Sequence, residues 1–380
     1  MDQNSEFNDI APFGDEETAE ALAKLSGHPA VPWVSKYIFQ NQPETYLGNI
    51  LKSIRTVDQF QSLVMSKAIE WVISTTVRNF SYDGLAKLQA INGNYLAMSN
   101  HRDIILDPAF TQIILYRNNM PLTQIAVGDN LLTNKSVELL IRSNRMIKVI
   151  RGISARELYL SSQLLSKYIR ETITSGAGSV WIAQKEGRTK NGIDTTEQGL
   201  LKMFNMSGSG DFVKDFMELH IVPLSISYEY EPCDILKARE LLISRTQKYV
   251  KTENEDLQSI LLGIKQFKGN VHLNIGDPLT EEEIREASFC DKNDRFQLIR
   301  HAVDRRIISG YRLWKTNYMA YDIVTGGTKY SDNYTPEELS AFKSYIDGQL
   351  TKVEPTLDQS ELKDILLHIY SNPVLSKEGL

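Results

Sequence analysis

Apolar residues recur along this chain at two spacings, and the spacing changes with position. Over residues 16–80 it is three and four, which predicts helices over 16–25, 43–54 and 57–80, the first stopping near Gly27. In the third, Phe60, Val64, Ala68, Trp71, Val72 and Thr75 trace one apolar face. Its other side is poor in lysine and arginine, which favours packing on protein over a lipid-facing surface helix.

Between Gly93 and Gly276 short apolar runs alternate with helical patterns. Strands are predicted over 95–98, 122–127, 146–150, 179–183, 220–228 and 270–275, and helices over 108–116, 134–141 and 154–174. Ser154, with Glu157 three residues on, caps the last of these helices. Strands separated by helices imply an α/β fold: a mixed, largely parallel sheet flanked by helices, with helical N- and C-terminal extensions. Beyond Thr280 the helical spacing returns over 281–287, 295–315, 336–350 and 359–370, with Gly326-Gly327 and Pro355 as breaks. The expected organisation is a disordered tail (1–16), an N-terminal helical region (17–81), an α/β core (82–279) and a C-terminal helical region (280–380). Ser207-Gly208-Ser209-Gly210-Asp211 reads as a flexible surface loop.

With 380 residues, 42% of them hydrophobic, the chain can bury a sizeable core. Charge interrupts every apolar run before the roughly 18 to 20 residues needed to span a bilayer. The polar, acidic start Met1-Asp2-Gln3-Asn4-Ser5-Glu6 is unlike a secretory signal, so a cytoplasmic location is expected. Cys233 and Cys290 lack metal-like spacing and argue against a disulfide framework. A net charge of -6 argues against nucleic acid as a partner. Local basic clusters remain, one at Arg142, Arg145, Lys148 and Arg151 and another at Lys185, Arg188 and Lys190. Taken alone, each cluster also fits a solvated face.

The densest chemistry lies just after the 95–98 strand, in Ser99-Asn100-His101-Arg102-Asp103-Ile104-Ile105-Leu106-Asp107-Pro108. A histidine held in one tautomer by a carboxylate can take a proton from a hydroxyl as that oxygen attacks an electrophile. The same residues also fit a plain helix start capped by Asn100 or Asp103, with His101 merely solvated. In an open α/β sheet, sites form beyond the carboxyl ends of strands, and His101, Arg151 and the 185–192 segment each follow one.

Four blocks stand in order. The first is Asn100-His101-Arg102 with its downstream aspartate. The second is Ile125-Ala126-Val127-Gly128-Asp129-Asn130-Leu131-Leu132, running on to Ile147-Lys148-Val149-Ile150-Arg151. The third is Val180-Trp181-Ile182-Ala183-Gln184-Lys185-Glu186-Gly187-Arg188-Thr189-Lys190-Asn191-Gly192, and the fourth is Ile221-Val222-Pro223-Leu224-Ser225-Ile226-Ser227-Tyr228-Glu229. Together they resemble the glycerol-phosphate acyltransferase (phospholipid/glycerol acyltransferase) family, closest to its bacterial glycerol-3-phosphate acyltransferase branch. A weaker fifth match covers 269–279. The resemblance implies transfer of a fatty acyl group from acyl-CoA or acyl carrier protein to a hydroxyl of glycerol 3-phosphate or 1-acylglycerol 3-phosphate, with no cofactor or metal. It implies His101 as base, with Asp107 or Asp103 orienting it. Arg151, Arg188 and Lys190 would hold the acceptor phosphate, and Glu186 and Gly187 would line the acceptor site, with Arg102 beside them. An amphipathic product made without a spanning helix implies transient docking on the inner membrane surface.

This chain departs from the family pattern in two places. Five residues, rather than four, separate His101 from Asp107, and Asp103 fills a slot usually held by serine. If Arg188 is aligned, Lys185 stands where a glutamate is expected. Two competing chemistries fail on context: Pro108 sits where a kinase catalytic loop needs asparagine, and Cys233 has no nearby histidine after His220. A non-catalytic lipid- or carrier-binding protein on the same fold, or an acyltransferase for a lyso-aminolipid, remains as the alternative.

Overall fold

The computed structural model of the chain describes residues 5–132, 134–151 and 154–380. Seven strands form one sheet: β1 Val77–Asp83, β2 Leu96–Ser99, β3 Gln124–Gly128, β4 Met146–Val149, β5 Val180–Ala183, β6 Ile221–Tyr228 and β7 Gly269–Ile275. Their order is β1-β7-β6-β2-β5-β3-β4. Every neighbouring pair is parallel except β6 and β7. The mixed, largely parallel sheet flanked by helices expected from the alternating pattern is thus the fold.

Every residue of β2 and β6 is buried, as in a sheet covered on both faces. The pleat sends successive side chains to opposite sides. Leu96, Met98, Val180 and Ile182 enter one core with Leu165, Ile169, Phe204 and Val303, whereas Ala97 and Trp181 enter the other with Phe110, Ile114 and Val72. A third apolar cluster joins Ile235 and Ala238 to Phe342, Leu362 and Tyr370 of the C-terminal helices, and a fourth holds the N-terminal helices around Leu22, Leu51 and Phe60. Phe60, Val64 and Val72 are buried, so that face packs on protein. The Ser154 capping box forms, with Glu157 Oε2 accepting from Ser154 N at 3.0 Å.

Three expectations change. Residues 77–80, taken as the end of a helix, open the edge strand β1, because the helix stops at Thr76 and the chain pairs with β7. The tail 1–16 lies partly outside the described residues, but 5–14 are not a loose tail. Phe7 and Ile10 are buried in the first core, Lys148 N donates to Ile10 O at 2.9 Å, and Phe13 N donates to Arg142 O at 2.9 Å. Two apolar side chains three residues apart tie down a stretch whose average composition is polar. The serine–glycine loop is likewise fastened, since Ser209 N and Gly210 N donate to the Asp215 carboxylate at 2.7 and 3.1 Å.

Candidate active site

Strands β2, β5, β3 and β4 run parallel and side by side, so the loops leaving their carboxyl ends gather along one edge of the sheet. His101 follows β2, Arg151 follows β4, and the 184–192 segment follows β5. The last is stitched to the first: Gln184 N donates to Ser99 O at 2.8 Å and Thr189 N to His101 O at 2.6 Å. Asp129, just past β3, accepts Arg151 N at 3.2 Å. The third block is therefore stitched to the first, the second reaches the third through Arg151 and Glu186 at 3.6 Å, and the fourth forms β6 beside β2.

His101 Nδ1 lies 2.9 Å from Asp107 Oδ2. The Asp107 carboxylate is buried and saturated: Oδ2 also accepts Arg102 N at 2.6 Å and Asp103 N at 2.9 Å, and Oδ1 accepts the Tyr228 hydroxyl at 2.7 Å. Asp103 does different work. Its Oδ1 accepts Ile105 N at 3.0 Å and Leu106 N at 2.9 Å, holding the turn that leads into the helix Leu106–Arg117. Its other oxygen is enclosed without a partner, and burial together with the Asp107 charge raises its pKa. The extra residue in this segment is absorbed by the Asp103 turn, which leaves Asp107 in the first helical turn facing the imidazole. The imidazole itself packs edge-on to Trp181, with ring centroids 6.1 Å apart, and keeps 14% of its side-chain surface exposed.

Arg102 does not meet substrate, contrary to the sequence-based expectation. Its guanidinium is 1% exposed and bonds Asp194 at 2.6 Å, Glu231 at 3.3 Å and Gly192 O at 3.2 Å, over the ring of Tyr311. Burial acts to lower its pKa, but Asp194 and Glu231 outweigh it and hold the arginine charged. Burial likewise pushes Asp194 up, and Arg102 more than reverses it, so that carboxylate sits below its ordinary value. Asn100 joins the same network, donating to Asp194 at 2.9 Å and Ile226 O at 3.0 Å while accepting Ile226 N at 2.7 Å. Arg102 and Asn100 thus lock the His101 loop to β6 and to the 192–194 turn.

Gly187 has φ +70°, a left-handed conformation that strains other residues, and nothing lies within 4 Å of where a Cβ would project. Main chain is therefore open to a ligand there. Glu186 is exposed, with Oε1 3.6 Å from Arg151 Nη1. Arg151 packs against Gly128, where a Cβ would fall 2.9 Å from its guanidinium carbon. Arg188 is half-buried, and its Nη1 is enclosed without a hydrogen-bond partner. Lys190 is drawn off instead into an ion pair with Glu240, because a carboxylate from the neighbouring helix Asp234–Ser244 lies within its reach. Cys233 is buried, donates to Ser259 O at 3.2 Å, and has its thiol pushed up to about 11 by burial, so it is no nucleophile. Asp194 is a site-building residue outside the four sequence blocks. Asn100 and Tyr228 lie within the first and fourth blocks, where the sequence assigned neither of them this structural role.

A cavity of about 510 Å³ lined by Leu241, Arg245, Asp364 and His368 opens elsewhere, and neither His101 nor Asp107 lines it. Among the described residues, no helix is long and apolar enough to cross a membrane.

Residues 79–227 match the family model described as Acyltransferase. Dihydroxyacetone phosphate acyltransferases of Bos taurus and Homo sapiens are 26% and 25% identical to this chain over 225 residues. That match covers 58% of this chain and 32% of each relative, so the chain spans about a third of their length. The crystal structure of the 1-acyl-sn-glycerophosphate (LPA) acyltransferase PlsC from Thermotoga maritima aligns at 11% identity with a TM-score of 0.40, covering 79% of this chain and 98% of that one.

Proposed function

We propose, from the match of residues 79–227 to the acyltransferase family model, that this protein moves a fatty acyl group from an acyl thioester to a hydroxyl of a phosphorylated glycerol acceptor. The observation that carries this is the His101–Asp107 hydrogen bond at 2.9 Å, on a carboxylate whose other contacts are all filled. Asp107 accepts a hydrogen bond from Nδ1–H, which holds that tautomer and leaves Nε2 as the basic nitrogen. Nε2 takes the acceptor's hydroxyl proton as the hydroxyl oxygen bonds to the thioester carbonyl carbon. The carbon–sulfur bond then breaks, and the departing thiolate receives the proton from the imidazolium.

Arg188 and Arg151 hold the acceptor phosphate, and the main chain at Gly187 donates to phosphate or to the developing oxyanion. Fixing the phosphate holds the hydroxyl beside the base. Support for Arg188 comes from its enclosed, unpartnered Nη1, a donor that an anion would satisfy. The donor is acyl-CoA or acyl carrier protein. The acceptors are glycerol 3-phosphate and 1-acylglycerol 3-phosphate, and the names of the relatives add dihydroxyacetone phosphate.

The product is amphipathic, so the protein docks transiently on the inner face of the membrane. Exposed Leu158, Tyr159 and Leu160 at the start of the helix Ala155–Thr174 are suitable for such a contact. Release of membrane-bound protein by salt supports that docking, and recovery only with detergent counts against it. The test of the reaction is product identification by mass spectrometry after incubation with a long-chain acyl thioester and each acceptor in turn. An ester of one acceptor supports the proposal, and free fatty acid as the sole product contradicts it.

A further inference from the structure

The departure at Lys185 has a structural counterpart. Residues 185–188 form a short excursion pinned at both ends to the strand and loop that carry His101, by the Gln184 N to Ser99 O and Thr189 N to His101 O bonds. The β2–β5 ladder ends at Ser99↔Ala183, and Lys185 opens the excursion directly after Gln184, in the field of Arg102, Asp194, Lys190 and Glu197.

Lys185 is half-buried, and the acids around it are engaged elsewhere. Asp194 is bonded by Arg102 and Asn100, and Glu197 Oε2 accepts the backbone N–H of Glu186 at 3.2 Å. Its neighbour Lys190 is paired with Glu240. Among the described residues, Lys185 joins no ion pair. The loops after β4 and β5 thus carry Arg151, Lys185 and Arg188, with the exposed acids Glu186, which faces Arg151, and Glu197 beside them. Among the described residues Arg188 likewise joins no ion pair, although it lies near enough to Asp103 and Asp256 to act on both charges.

We infer that Lys185 is a specificity-determining residue that binds the second negative charge of a phosphomonoester acceptor, so that the site prefers phosphomonoesters to the singly charged phosphodiesters of ordinary lysophospholipids. The inference rests on the proposed function and deepens it. A glutamate at this position would accept hydrogen bonds from hydroxyls and repel a dianion, whereas an ammonium only donates and attracts one. Burial lowers the Lys185 pKa, with Arg102 and Lys190 acting in the same direction and Asp194 and Glu197 opposing. Lys185 therefore loses its proton at lower pH than an exposed lysine, and affinity for the dianion falls as the solution becomes alkaline.

The experiment is calorimetric titration of the full chain with inorganic phosphate and with glycerol 3-phosphate, from neutral to alkaline pH, for wild type, Lys185→Gln and Lys185→Arg. Beside it, acyl transfer is compared between 1-acylglycerol 3-phosphate and 1-acylglycerophosphoglycerol, a diester. A charge-assisted contact of ordinary strength predicts that Lys185→Gln weakens phosphate binding and raises the monoester KM by about ten- to a hundredfold. The diester KM stays unchanged, and Lys185→Arg keeps its affinity at alkaline pH where wild type loses it. Equal phosphate affinity in wild type and Lys185→Gln, or equal losses for monoester and diester, overturns the inference. Phosphate binding that depends on Lys185 without acyl transfer to any acceptor removes the proposed function and leaves this site standing. Acyl transfer with an unchanged monoester KM in Lys185→Gln does the reverse, and no phosphate binding by wild type overturns the Lys185 assignment.

Discussion

Tyr228 donates its hydroxyl to Asp107 Oδ1 at 2.7 Å, on the carboxylate oxygen that His101 does not use. Tyr228 is fully buried, and burial together with the Asp107 charge holds its phenol well above its ordinary pKa, so it acts as a permanent donor. The 101–103 loop and β6, distant in sequence, thus hold the Asp107 carboxylate from opposite oxygens.

Tyr228→Phe leaves that oxygen buried and one donor short, a cost of about 1–3 kcal/mol. The expected result is a lowered kcat with acceptor and donor KM unchanged, together with a reduced melting temperature. A wild-type kcat in this variant would remove Tyr228 from the positioning of the dyad.

The two aspartates should separate cleanly. Asp107→Asn replaces the anion that stabilises the imidazolium and should lower kcat by about a hundredfold or more. Asp103→Asn keeps an oxygen able to accept from Ile105 N and Leu106 N, so its kcat should stay within a few-fold of wild type while the turn before the helix is preserved. Steady-state kinetics on the two variants decide the matter, and mild effects in both would sink the dyad.

Arg188→Ala should raise the acceptor KM by about ten- to a hundredfold, the worth of a lost charge-assisted contact, and leave the acyl-donor KM in place. Equal losses for both substrates would take the phosphate role away from Arg188.

Arg102→Met tests a stability role. Removing the cation leaves Asp194 buried and unpaired, while Glu231 keeps Lys237 at 2.6 Å, a cost of about 3–5 kcal/mol, read as a lower melting temperature at neutral pH. Asp194 sits below its ordinary pKa in the folded protein. Its contribution is therefore complete above the ordinary carboxylate value of about 3.9 and is lost as pH falls through the depressed one. The gap between wild type and Arg102→Met should accordingly narrow in acid, and a gap independent of pH would contradict the pairing.

Some of this was plain in the residues themselves. Leu96-Ala97-Met98 and the 221–228 run are apolar enough to declare central strands, and His101 with a carboxylate downstream declares a base. β1 was hidden because Val77–Asp83 continues a helical apolar spacing and becomes a strand only by pairing with β7 at the sheet edge. Arg102 misled because its partners, Asp194 and Glu231, lie about a hundred residues away, and nothing near it in sequence shows that it is buried. The choice between Asp103 and Asp107 needed the turn geometry, since spacing alone allowed both. Phe7 and Ile10 were submerged in a polar average that describes the stretch but not the two side chains that anchor it.

Thiol release from long-chain acyl-CoA and acyl carrier protein, measured with glycerol 3-phosphate, 1-acylglycerol 3-phosphate, dihydroxyacetone phosphate or no acceptor, beside His101→Ala, is the most direct test of the proposed reaction. The expected release requires an acceptor and is abolished in the variant while the fold is kept. Release that ignores the acceptor, survives in His101→Ala, or is absent with every pair would contradict that reaction.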